Sequence, residues 1–215
     1  MDTISKKKAV IIPSYIEGKI RNIFDDDTLE NSTVICADAG FEKAAAEGIT
    51  PDIIVGDFDS SAADDLPDGI PVIRVPSHKD ETDFELALST AVDMGADTVF
   101  IAGGFGGRID HTLGNIQNIA GFLEKGIKVT MKDEQNRLFA MKKGSIVIPK
   151  AERCYLSLLA YTETAVISVS GVEYPLDHHT ISIMHPLGVS NEFTSDAAEL
   201  TVHEGMILVM IVRMN

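Results

Sequence analysis

The sequence reads as a parallel-sheet α/β/α domain followed by an all-β sandwich, on three observations. In the first half, short continuous runs of Val and Ile alternate with helix-like segments, the grammar of a parallel sheet covered on both faces. After about Lys143 no convincing amphipathic helix occurs. In its place come short apolar runs separated by Pro and Gly turns, the pattern of a sandwich or barrel. The boundary falls within Glu134–Gly144, giving domains over residues 1–137 and 138–215.

In the first domain the expected strands are Ala9–Ile12, Thr33–Cys36, Ile53–Val55, Val72–Val75, Thr98–Ala102 and Lys128–Met131. A short Ala-rich helix spans Phe41–Glu47 and stops at Gly48. Thr82-Asp83-Phe84-Glu85 has the capping-box form, with Thr82 as N-cap of a helix running to about Met94 and Gly95 closing it. A third helix runs from about His111 to Lys125 and ends at Gly126. Strand–helix–strand alternation with right-handed crossovers makes this an α/β domain. In the second domain the strand-like runs are Ser145–Ile148, Tyr155–Ala160, Ala165–Val169, Thr180–Met184, Val189–Phe193, Glu199–Val202 and Met206–Val212. Pro149, Gly171, Pro175, Pro186-Leu187-Gly188 and Glu204-Gly205 punctuate them.

The 215 residues are 45% hydrophobic and 24% charged, a globular composition rather than a disordered one. The formal net charge is −15. Nucleic acid is a poor main partner for such a chain, because phosphate backbones reward Lys and Arg; the same charge argues against an anionic membrane surface. Acid is concentrated in front: residues 1–139 hold 25 acidic and 13 basic side chains, residues 140–215 only 8 and 5. Met206–Val212 is far shorter than the roughly 20 residues a spanning helix needs. Lys6–Lys8 precede only a short apolar run ending at Pro13, too little for a secretory core. Cys36 and Cys154 are read as reduced thiols, and the chain as cytoplasmic.

Four segments fall where strands of the α/β domain end: Cys36-Ala37-Asp38-Ala39-Gly40, Gly56-Asp57-Phe58-Asp59-Ser60, Lys79-Asp80-Glu81-Thr82-Asp83 and Gly103–His111. In an open parallel sheet, ligands bind outside the carboxyl ends of the strands, so all four converge on one edge. In an extended chain Asp57 and Asp59 point the same way and could share a cation. A polar turn with aspartates capping backbone amides is the alternative. Asp83 adds a third carboxylate, and a divalent ion is the simplest relief of their repulsion. Hard oxygen ligands suit magnesium that also holds phosphates. Gly103–Gly107 has four glycines in five positions before a helix, which lets backbone N–H groups approach phosphate oxygens. Arg108 adds a forked cation. No Walker A motif occurs, and a dinucleotide fingerprint fits poorly. His111 suits a phosphate contact or a helix-start hydrogen bond better than catalysis. His178 and His179 are read as solvated turn residues, and Asp25–Asp27 as a solvated loop or helix end.

At these segments the chain resembles the thiamine pyrophosphokinase family. Gly56-Asp57-Phe58-Asp59-Ser60 is similar to its Gly-Asp-Phe-Asp-Ser signature, and Asp80 with Thr82-Asp83 to its Asp-x-x-Thr-Asp element. Gly106–His111 resembles its Gly-Gly-Arg-x-Asp-His element. Asp38-Ala39-Gly40 resembles Asp-Gly-Gly, with Ala39 replacing a glycine. In the β half, Gly171–Leu176 and Ser190-Asn191-Glu192 resemble the substrate-side segments. The resemblance implies an α/β catalytic domain and a β-sandwich, working as a homodimer with thiamine between one subunit's β domain and the other's catalytic domain. It implies transfer of the pyrophosphoryl group of ATP to the thiamine hydroxyl, giving thiamine diphosphate and AMP, with Mg²⁺ required. Residue by residue, it places Asp57, Asp59 and Asp83 on magnesium, with Arg108 beside them in the catalytic set. Asp38 falls near the same phosphates, Asp80, Thr82, Arg108, Asp110 and His111 at the nucleotide, and Ser190, Asn191 and Tyr174 at thiamine. Tyr174 stands where some members have a Trp, a residue this chain lacks.

Three other readings compete. A pyrophosphokinase for a pterin-type alcohol would differ at Tyr174 and Ser190-Asn191. An aspartyl-phosphate type magnesium phosphatase would share strand-Asp-x-Asp but needs a later Lys and acidic loop where this chain has Gly-Arg-Asp-His. A non-catalytic binder is disfavoured by intact Asp57, Asp59, Asp83 and Arg108.

Overall fold

Ala9–Ile12 is fully buried on both sides. This fixes the centre of the first domain: a strand apolar at every position must be covered above and below. The computed structural model describes residues 7–58, 66–75 and 82–214. The chain divides into two units, Met1–Glu134 and Gln135–Asn215.

Among the described residues the first unit is built on the parallel strands β1 (Lys7–Ile12), β2 (Thr33–Ala37), β3 (Ile53–Gly56), β4 (Val72–Arg74), β5 (Ala96–Ala102) and β6 (Lys128–Lys132). Their order is β6-β5-β1-β2-β3-β4. The chain therefore winds outward from β1 in one direction, then returns to β1's other side at β5. The point of reversal lies between β1 and β5, and in such sheets it opens a crevice at the strands' carboxyl ends. Residues two apart share a face. Val10, Ile12, Val34 and Cys36 share one core with Ile20, Ile23 and Phe41, while Ile11 and Ile35 are buried on the opposite side.

Among the described residues the helices of this unit are α1 (Ile20–Ile23), α2 (Asp26–Glu30), α3 (Gly40–Ala46), α4 (Asp83–Asp93) and α5 (Ile109–Glu124). Thr82 caps α4 as expected, its hydroxyl accepting the Glu85 N–H at 3.2 Å. Gly95 follows with φ +88°, the left-handed conformation that ends helices. Asp25 caps α2 by accepting the Thr28 N–H at 2.8 Å, and Asp26 and Asp27 occupy its first turn. The Asp25–Asp27 run is thus a helix start, favoured there by the helix dipole.

The second unit is β-rich and antiparallel: β7 (Asn136–Pro149), β8 (Cys154–Ala160), β9 (Thr164–Ser170), β10 (Leu176–Ser182), β11 (Gly188–Glu192) and β12 (Ala197–Arg213). β12 pairs with β7 along its length, with β9 over its first part and with β8 over its second. The arms β12-β9-β10 and β12-β8-β11 close on one core that includes Leu156, Leu158, Ile167, Leu200 and Ile207. Three expectations change. The runs Glu199–Val202 and Met206–Val212 are one strand, because Gly205 (φ +78°) lets the chain bulge without leaving the sheet. The strand expected at Thr180–Met184 is instead β10, and His178 and His179 lie in that bulged strand rather than in a turn. β7 begins at Asn136, well before Ser145. Among the described residues no helix is long and apolar enough to cross a membrane.

Candidate active site

The carboxyl ends of β1, β2, β3 and β5 and the first turns of α4 and α5 surround a cleft of about 830 Å³ in the first unit. β2 leads into Asp38, β3 into Asp57, α4 delivers Asp83 with Thr82 as its N-cap, the β5–α5 connection delivers Arg108, and the first turn of α5 delivers Asp110 and His111. Asp59 and Asp80 lie outside the described residues.

Asp38 sits in the left-handed region (φ +46°), its N–H held by the Val55 carbonyl at 2.9 Å. Its side chain leans over Gly56, where a Cβ would overlap Asp38 Oδ1, so glycine is the residue that fits. Burial is the main cause that lifts the Asp38 carboxyl to about 7. A side-chain hydrogen bond with Asp83 and the charges of Asp83 and Asp57 push the same way, and a backbone hydrogen bond from Asp57 opposes them. Asp38 Oδ1 is buried without a hydrogen-bond partner among the described residues. Three carboxyl groups from three elements thus meet in the cleft. Among the described residues, no three His, Cys, Asp or Glu side chains are arranged as a ready ligand set. The extended-chain premise for Asp57 and Asp59 does not hold: Phe58 between them has φ +53° and is buried, with the Arg74 guanidinium 5.1 Å from its ring centroid.

On the facing side, Gly103, Gly104, Gly106 and Gly107 all have positive φ, between +60° and +86°. A chain of residues bearing Cβ would be strained throughout this turn. Asn115 Nδ2 donates to the Gly104 carbonyl at 3.0 Å and fastens the turn to α5. Arg108 is the N-cap of α5 but makes no side-chain cap. Its guanidinium forks onto Asp110, Nε to Oδ1 at 3.1 Å and Nη2 to Oδ2 at 2.5 Å, with both side chains largely exposed. The Arg108 hydrogen bond holds the Asp110 carboxyl down at about 2. Asp110 Oδ1 also accepts the His111 N–H at 3.0 Å.

Sequence reasoning missed two residues here. Tyr15, past the end of β1, lays its ring against Gly106 and Gly107 and donates its hydroxyl to Glu17 at 2.5 Å. The rule that sites collect at strand ends would have reached it. Asn115 lies four residues after His111, on the same face of α5.

In the second unit Tyr174 and Ser190 are exposed, while Asn191 is 8% exposed. Asn191 grips the Tyr174 backbone with both ends of its amide: Oδ1 accepts the Tyr174 N–H at 3.0 Å and Nδ2 donates to the Tyr174 carbonyl at 2.9 Å. Ser190 has φ +61°, and its N–H donates to Ser157 Oγ at 2.9 Å.

Comparison with known proteins agrees with this division of the chain. The family profile for the thiamin pyrophosphokinase catalytic domain matches residues 25–131, and that for the thiamin pyrophosphokinase vitamin B1 binding domain matches residues 144–207. A thiamine pyrophosphokinase of Bacillus subtilis is 32% identical over 207 residues, covering 92% of this chain and 96% of that protein. A crystal structure of thiamine pyrophosphokinase from Bacillus subtilis superposes with a TM-score of 0.83 at 28% identity, covering 96% of this chain and 99% of that one. One from Geobacillus thermodenitrificans gives 0.80 at 27% identity, covering 95% and 97%. With a relative this similar over nearly the whole of both chains, and two family profiles in order along it, the chain belongs to the thiamine pyrophosphokinase family.

Proposed function

We propose that the cleft between β1 and β5 is where this enzyme of the thiamine pyrophosphokinase family holds ATP, with Mg²⁺ on Asp57, Asp59 and Asp83. The reaction moves the pyrophosphoryl group of ATP to the thiamine hydroxyl: the hydroxyl oxygen bonds to the β-phosphorus, AMP leaves, and thiamine diphosphate forms. The observation that supports the assignment best is the meeting of Asp38, Asp57 and Asp83 opposite a glycine turn and Arg108 in one cleft.

The donor chemistry fits magnesium, since hard carboxylate oxygens gather here and one buried Asp38 oxygen is unpartnered among the described residues. When bound, the ion would offset charge on the phosphate oxygens, the main need of a phosphoryl-type transfer. The chain's own residues do the rest. The glycine turn admits a phosphate close to backbone N–H groups at the start of α5. Arg108 offers a planar fork, and Asp110 keeps that fork oriented until phosphate competes for it. Asp38 shares a hydrogen bond with Asp83 and joins the carboxylates at the same phosphates. Thr82 fixes the first turn of α4, which carries Asp83. His111 at the start of α5 serves as a phosphate contact, and Asp80 keeps the nucleotide-binding role that the family resemblance implies. In the second unit Tyr174, Ser190 and Asn191 form the thiamine side.

We further read the enzyme as a cytoplasmic homodimer that completes its thiamine site across two subunits. Free Cys36 and Cys154 suit a reducing compartment. Exposed Ile183, Met184, Leu187 and Val189 form an apolar stretch of the kind that subunit contacts cover. Purified protein given ATP, Mg²⁺ and thiamine is expected to form AMP one-for-one with thiamine diphosphate. Release of ADP would mean transfer of the γ-phosphoryl group alone and would overturn this reading.

A further inference from the structure

Burying a polar side chain is costly unless its hydrogen bonds are made inside. Among the described residues only Thr90, Ser157 and Asn191 are buried polar side chains. Thr90 returns its hydroxyl to the Leu86 carbonyl of its own helix. The other two lie in the second unit, and both turn to backbone groups of the segments at Ser190 and Tyr174.

Their placement follows from a defect in the sheet. Gly188 pairs with Leu158 and Asn191 with Leu156, so Val189 and Ser190 together stand opposite Ser157. That is a β-bulge, which frees a backbone N–H and re-aims a side chain. Ser190 takes the left-handed conformation there (φ +61°), and Ser157 Oγ accepts the freed N–H at 2.9 Å. Beyond the bulge, Val172 bridges Phe193 and the Glu173 N–H donates to the Glu192 carbonyl at 2.9 Å. The next rung is supplied by a side chain: the Asn191 amide takes both backbone groups of Tyr174.

We propose that Ser157 and Asn191 are positioning residues for the acceptor: buried, they clip the backbone at Ser190 and Tyr174 so that these two exposed residues face thiamine in a fixed arrangement. This rests on the reading that Tyr174 and Ser190 meet thiamine. It differs from the family resemblance in that Asn191 acts through Tyr174 rather than by touching the substrate, and it gives Ser157 a role.

The test is steady-state kinetics of the full-length enzyme, varying thiamine and ATP separately. Ser157→Ala and Asn191→Asp are each expected to raise KM for thiamine about tenfold, or about 1.4 kcal/mol. The kcat and the KM for ATP should stay within about twofold, and Ser157→Thr, which keeps the hydroxyl, should restore KM. Ser157→Thr behaving no better than Ser157→Val would overturn the proposal. So would a parallel fall of all constants with the folded fraction. If Ser157→Ala does not fold, thiamine binding to Asn191→Asp by calorimetry decides, and wild-type affinity there counts against the proposal. Tyr174→Ala and Ser190→Ala separate the two levels. If they raise KM for thiamine while Ser157→Ala and Asn191→Asp do not, only the positioning role falls. If they leave it unchanged, the acceptor assignment itself falls.

Discussion

Asp38 and Asp83, carried by different elements, join their carboxyl side chains through a hydrogen bond in the cleft, with the charge of Asp57 beside them. Two carboxyl groups this close keep a proton between them or gain from a cation.

This gives a signed dependence of stability on pH for the metal-free chain. The folded Asp38 carboxyl is raised from 3.8 to about 7, so the fold binds more protons than the unfolded chain in between. Stability should therefore fall as pH rises through that window. Asp38→Asn should remove the slope and raise the melting temperature at pH 8. Because the carboxyl is only half-buried, the gain is discounted to about 1 kcal/mol, or roughly 2–4 °C. Thermal unfolding of metal-free wild type and variant at pH 5 and 8 reads it; equal slopes would contradict the shared environment.

Gly56 shapes the same corner. A Cβ there would overlap Asp38 Oδ1, so Gly56→Ala should displace that carboxylate. The expected cost is about 1–3 kcal/mol of overpacking. Turnover should drop by more than about tenfold in the protein that remains folded, since loss of preorganised charge is felt mainly in kcat. Urea unfolding alongside kcat checks both parts.

Arg108 separates charge from shape. Arg108→Lys keeps the charge but loses the two-point fork now resting on Asp110. Its kcat/KM for ATP should fall below about a tenth of wild type. Its melting temperature should not move, because exposed ion pairs contribute little to stability. A large thermal shift with unchanged kinetics would make Arg108 structural.

Tyr15 is predicted to act through its ring. Tyr15→Phe loses only the hydroxyl bond to Glu17 and should keep KM for ATP within about twofold. Tyr15→Ala uncovers Gly106 and Gly107 and should raise that KM about tenfold. Nucleotide titration of both variants distinguishes ring from hydroxyl.

Much of this could be read from residue order, and the exceptions have physical causes. Ala9–Ile12 and Ile53–Val55 were legible because a strand buried on both faces must be apolar throughout. Thr82 was legible because capping is local chemistry. The join of Glu199–Val202 to Met206–Val212 was not: a Gly that ends a strand and a Gly that bulges one look alike until the partner strand is known. The turn at Phe58 was hidden because bulky residues rarely adopt positive φ. Asn191 showed an amide but not its orientation, which β11's bulge decides. The Asp38–Asp83 contact depends on strand order, which no local pattern encodes.

The central claim is that Asp57 belongs to the charge cluster that holds the phosphates of ATP. The most direct measurement is the turnover number of Asp57→Asn, folded as judged by circular dichroism, with AMP and thiamine diphosphate quantified at saturating Mg²⁺. The predicted result is a loss of at least about a hundredfold in both products together. Turnover within about threefold of wild type would contradict it and remove Asp57 from the site.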